Sequence, residues 1–127
     1  MNIGSRGHMQ KITLISFGFK YGIPNSNYYF DVSFAKNPAR ESRWNLFDKP
    51  DDEMVDYVLS QPAVNDFISA LLPMLNVIVT LDDDARVALG CNAGRHRSAI
   101  IVEHVAARLR AAGKDVEVIH REWKNEQ

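Results

Sequence analysis

A chain of 127 residues, 46% apolar and 24% charged, suffices for one globular core and is too short for two. Its formal net charge of -1 excludes the overall basic excess of a general nucleic-acid binder, though not a local basic face. Cys91 is the only cysteine, which excludes an internal disulfide and fits a reducing, cytoplasmic setting.

Residues 1–9, MNIGSRGHM, form a short polar run that reads as a vector-derived scar, leaving 10–127 as one domain. Residues 11–17 (KITLISF) are apolar and β-rich, which predicts a buried strand. Gly18, Gly22 and Pro24 break it. Residues 28–34 (YYFDVSF) alternate, with aromatic and β-branched side chains, and predict a second strand. Residues 36–49 read as an irregular surface loop that orders around a ligand or partner. Asp51 or Asp52 caps a short helix to about Ser60. Pro62 starts a longer helix, with Val64, Phe67, Ile68, Leu71, Leu72 and Leu75 at helical spacing. Pro73 predicts a kink or an early end there. With that proline and its polar interruptions, the apolar stretch 67–81 falls short of a membrane span, so no membrane partner is expected.

The last third is the clearest. Residues 86–91 (RVALGC) predict a strand, 92–96 a tight loop, 97–112 a helix ended by Gly113, and 115–120 a final strand. Strand, helix, strand is a βαβ unit with a parallel pair and a right-handed crossover. The expected fold is therefore α/β: one small domain, a mixed sheet of about four main strands flanked by helices, with a strand–anion-binding loop–helix–strand unit at the C-terminal end. No cofactor and no metal site is expected.

The segment from Gly90 to Ser98 (GCNAGRHRS) is where chemistry concentrates. The first turn of a helix carries unpaired backbone N–H groups and partial positive charge. Gly94 permits positive φ or a close approach, Arg95, His96 and Arg97 supply cationic donors, and Ser98 adds a hydroxyl. Asn92 and Ala93 contribute backbone to the same turn. Two arginines at a helix start oppose the helix dipole, and a bound anion would offset that. The competing reading is an ordinary turn with solvated charges. A third template also fits: Cys91, five residues, Arg97 and Ser98 match the cysteine-phosphatase pattern C-x5-R-[ST], in which a thiolate attacks phosphorus. Gly90 stands where that pattern usually has His, and Asp82, Asp83 and Asp84 lie at the wrong end of the strand to supply a general acid. A small buried cysteine at a strand end is the plainer account of Cys91.

Residues 16–24 (SFGFKYGIP), Phe30-Asp31-Val32, Asn37-Pro38, Asp48-Lys49-Pro50, residues 72–75 (LPML), the loop at 90–98, and Gly113-Lys114 through His120-Arg121 follow one another in a familiar order. Together they resemble the C-terminal domain of the RapZ RNase adapter family. The resemblance implies a compact α/β domain that senses glucosamine 6-phosphate and that, in the full-length adapter, contacts small regulatory RNA and helps form a homo-oligomer (a homotetramer). The expectation is therefore a non-catalytic binding module with an RNA or protein partner. The family's N-terminal nucleotide-binding domain carries a P-loop, and G-x-x-x-x-G-K-[ST] does not occur here. Ser33, Asn92 and Arg95 depart from the family's usual arginine, small hydroxyl residue and lysine.

Two residues beside the loop join the expected site. Lys20, after the first strand, would help neutralise a phosphate. Asp31, a charge inside an aromatic strand, would accept from a sugar hydroxyl or amine, or pair with a loop arginine. Trp44 and Trp123 are expected to pack rather than stack on bases. Arg108, Arg110, Lys114, His120, Arg121 and Lys124 make a possible basic stripe for RNA.

Overall fold

The computed structural model describes residues 10–45 and 47–123. The supposed scar and Lys124 lie outside the described residues. One four-stranded sheet organises the rest, from β1 (Lys11–Gly18), β2 (Tyr28–Asp31), β3 (Asp84–Cys91) and β4 (Asp115–His120). Three helices accompany it: α1 (Asp52–Leu59), α2 (Pro62–Leu81) and α3 (Arg97–Ala111). The α/β class and the small single sheet are as expected. Strand direction is the difference: every pairing among the described residues is parallel, where a mixed sheet was expected.

The strand order β2-β3-β1-β4 explains why. β1 is buried from Ile12 to Gly18, and a strand buried on both faces belongs in the middle of a sheet. It pairs with β3 on one side and β4 on the other, so the last βαβ unit steps over β1 rather than joining neighbours. Along β1, Ile12 and Leu14 enter the main core with Leu71, Leu75, Ile101, Val105 and Leu109 from the helices. Ile15 and Phe17 form a smaller cluster with Ala88 on the opposite face, as the two-residue period requires.

Local chemistry sets the element ends. The Asp51 carboxylate accepts from the Met54 N–H at 2.8 Å and starts α1, with Asp52 and Glu53 in the favourable first turn. β2 stops at Asp31, earlier than the alternation to residue 34 suggests. The Asp31 carboxylate takes the Ser33 N–H at 2.9 Å, a side-chain turn that bends the chain out of the sheet. Pro73 neither ends nor shortens α2, which runs on to Leu81. Pro73 and Ser69, whose carbonyl loses its helical partner, are both exposed, so water can satisfy the freed group. By length and composition alone the twenty-residue α2, longer than the stretch 67–81, would pass for a membrane-crossing helix. Val64, Ile68, Leu71, Leu75, Ile78 and Val79 are nevertheless built into the core.

Candidate functional site

The parallel register brings the carboxyl ends of β1 and β3 level, Gly18 opposite Cys91. Ligands of open α/β sheets collect at that edge. The loop after Cys91 folds back over the end of β1 and leads into α3. Its fit is tight: a Cβ on Gly94 would lie 2.3 Å from the Gly18 nitrogen, and one on Gly18 would lie 2.4 Å from the Ala93 carbonyl carbon. Gly94 has φ +76°, so only glycine meets both conditions easily. The Lys20 N–H donates to the Asn92 carbonyl at 3.2 Å, tying the turn after β1 to the loop.

A cleft of about 280 Å³ opens over this junction. Lys20, Cys91, Asn92, Ala93, Gly94, Arg95, His96 and Arg97 all line it. Two expected members do not. Ser98 is fully buried behind the wall, receiving the Cys91 thiol at 3.4 Å and itself 3.5 Å from the Phe17 carbonyl. Asp31 stands at the same edge, opposite Gly90, but its carboxylate is committed to Ser33.

The three basic loop residues are anchored by main-chain carbonyls of the 33–48 segment. Arg97, buried to 7% exposure, donates through Nη1 to the Ser33 carbonyl at 2.9 Å and the Ala35 carbonyl at 3.1 Å. Arg95 donates to the Phe47 carbonyl, and at 3.5 Å to that of Glu122. His96 Nε2 lies 2.9 Å from the Asp48 carbonyl, and since a carbonyl only accepts, that nitrogen carries the proton. Asn37, Ala39 and Phe47 line the cleft as well. The sequence expectation had the 36–49 loop ordering around a ligand but did not assign these residues to the site; the Asn37-Pro38 pair was the available signal.

A second buttress comes from the C-terminus. Glu122 Oε2 accepts from the Gly18 N–H at 2.9 Å and from Arg121 Nε at 2.9 Å. Arg121 also donates to the Gly22 carbonyl at 2.6 Å. His120 bridges Ser16 Oγ (2.6 Å from Nδ1) and Glu103 Oε2 (2.7 Å from Nε2), with Trp123 against its ring. Arg110 donates to the Val116 carbonyl. The anticipated basic stripe is thus broken up, because His120 and Arg121 work inward.

Burial lowers the His96 pKa below 6.5, with Arg95 and Arg97 acting in the same direction against the Asp48 carbonyl. His96 is therefore uncharged at neutral pH and serves the cleft as a neutral wall, not a cation. Burial, with Arg108, also lowers His104. The unfolded chain takes up these protons near 6.5 while the folded chain resists them. Their contribution to stability is complete above 6.5 and shrinks as pH falls below it. Urea unfolding should show a falling midpoint from about pH 7.5 to 5, and a shallower fall in His96→Gln, which keeps an N–H for Asp48 without titrating. An equal slope in both proteins would remove His96 as a cause.

The sequence matches the RapZ C-terminal domain family over residues 10–124. The chain belongs to that family. This RapZ C-terminal domain is 36% identical over 122 residues to a nucleotide-binding protein of Nocardioides, covering 91% of this chain and 40% of that protein. It is 37% identical to a nucleotide-binding protein of Clostridium botulinum (87% and 40%) and 35% identical to one of Streptomyces coelicolor (91% and 41%). The chain spans about 40% of the length of these relatives. Among the described residues of the RapZ C-terminal domain, no group of three His, Cys, Asp or Glu side chains is placed to hold a metal ion.

Proposed function

We propose that this domain is a non-catalytic sensor whose cleft binds a phosphorylated small molecule of the glucosamine 6-phosphate type. The observation that carries the reading is Arg97. It is held by two carbonyls through one nitrogen, at the first turn of a fifteen-residue helix, on the lining of a cleft that Lys20 and Arg95 also border. A cation is costly at a helix start unless an anion is bound there. The loop amides from Asn92 to Arg97 would cradle the phosphoryl oxygens, Arg97 would supply charge-assisted bonds, and Lys20 would neutralise from the rim. Membership of a regulatory adapter family supports the choice of a sensor over an enzyme. RNA contact, a protein partner, self-association and a cytoplasmic setting belong to the same proposal through the family resemblance. The inward use of His120 and Arg121 gives RNA contact less support.

One observation favours a second reading. Cys91 meets the Ser98 hydroxyl at 3.4 Å beside Arg97, the neighbourhood a cysteine phosphatase needs. Against it, the thiol is buried and Arg97 Nη1 is spent on carbonyls. Calorimetry of this chain with inorganic phosphate, glucosamine 6-phosphate and glucosamine separates the readings. Heat with the two phosphates and none with glucosamine is expected, with Cys91→Ser unchanged. Silence with both phosphates would refute the sensor, and hydrolysis of p-nitrophenyl phosphate that disappears in Cys91→Ser would replace it with the enzyme.

A further inference from the structure

β1 outruns its neighbour on one side. β3 follows it to the end, with Cys91 opposite Gly18, but β4 stops at His120, opposite Ser16. On that side no strand among the described residues accompanies Phe17 and Gly18. Gly18 is buried, so its N–H needs an acceptor from elsewhere. The chain turns after His120 (Arg121–Trp123), and Glu122 Oε2 accepts the Gly18 N–H at 2.9 Å, as a strand carbonyl would. The same side chain reaches the anion loop. A Cβ on Gly94 would lie 2.7 Å from Glu122 Cγ, so the stem of Glu122 fills the space beside that glycine. Trp123 closes the grip, donating through Nε1 to the Arg95 carbonyl at 3.2 Å.

An acid in this place opposes the site it serves. A carboxylate only 12% exposed, behind a cleft for anions, repels the guest. Arg121 answers that charge, donating from Nε at 2.9 Å and from Nη2 at 2.7 Å. Both of those bonds, and the one from Gly18, converge on the single oxygen Oε2. What the junction requires is therefore an acceptor at that point rather than a negative charge. We infer that Glu122 is a positioning residue for the phosphate site. It does not line the cleft, and it acts by fixing where the amides of residues 92–97 stand relative to the end of β1. Such amides grip an anion only if they converge, and a displacement of about 1 Å spoils that. The inference rests on the phosphate-binding reading above and adds what keeps that site in shape.

Two substitutions separate position from charge. Glu122→Gln drops the charge and keeps an oxygen at the same reach. Glu122→Asp keeps the charge and draws the oxygen back by one methylene, about 1.5 Å. Calorimetry of this chain with inorganic phosphate and with glucosamine 6-phosphate, run well below the melting midpoint of each variant, compares them. Glu122→Gln should bind both probes within about threefold of the wild type, and Glu122→Asp at least about tenfold more weakly. A carboxylate that only repelled the anion would give the reverse: tighter binding in Glu122→Gln and no change in Glu122→Asp. That pattern would overturn the inference, as would wild-type affinity in both variants. If Glu122→Asp fails to fold, Glu122→Gln still decides: a change of about tenfold in either direction rules the positioning role out. Silence of the wild type with both phosphates would sink the sensor reading and this inference with it. Binding by the wild type with an unaffected Glu122→Asp sinks the inference alone.

Discussion

Gly94→Ala should lower stability by about 4 kcal/mol, seen as a fall of more than about 10 °C in the thermal midpoint. Two costs add. The first is the left-handed backbone at φ +76°, about 1 kcal/mol for any residue with a Cβ. The second is collision. The new carbon would sit 2.3 Å from the Gly18 nitrogen and 2.4 Å from the Phe17 carbonyl carbon. Those atoms belong to the central strand and cannot give way as a flexible side chain would. Relief requires the loop to lift off β1, which opens the cleft and strains the bond between Glu122 and the Gly18 N–H. Phosphate binding should fall with stability. A midpoint within 2 °C of the wild type would show that the loop does not rest on β1 as described.

Arg97→Ala should weaken phosphate binding by roughly a hundredfold or more, through loss of a buried charge-assisted contact. It should also cost about 2 kcal/mol of stability, because the Ser33 and Ala35 carbonyls lose their shared donor. Arg97→Lys separates the two roles. A lysine keeps the charge but is a point donor without the planar fork, so it cannot hold both carbonyls and grip an anion together. It should recover most of the stability and only part of the affinity. Calorimetry paired with urea unfolding on both variants reads this out. Full affinity in Arg97→Ala would remove the residue from the binding site.

Much of the fold was legible because burial and turn chemistry write directly into residue types. The run from Ile12 to Phe17 announces a doubly buried strand, Asp51 announces the cap of α1, and Gly113 at φ +86° marks the end of α3. Strand order was not legible. Nothing in the local pattern of residues 84–120 says that β1, from the other end of the chain, lies between β3 and β4. Pro73 does not end α2 early, because that effect depends on whether the freed carbonyl meets water, which is a tertiary matter. The loop itself could be found from its glycine and arginines. Its partners could not: Arg95, His96 and Arg97 are held by the main-chain carbonyls of Phe47, Asp48, Ser33 and Ala35, and every residue type carries a carbonyl. Asp31 shows the converse, a conspicuous charge whose task is a local turn.

The central position of β1 governs when this domain can take shape during synthesis. Its parallel partner β4 is about a hundred residues downstream, Lys11 facing Asp115, and the bond from the Gly18 N–H to Glu122 spans 104 positions. Pairings this remote are slow to form. The nascent chain must therefore hold its most apolar strand with one edge uncovered until residue 122 has cleared the ribosome. Over that interval it is open to association with other chains or to capture by a chaperone.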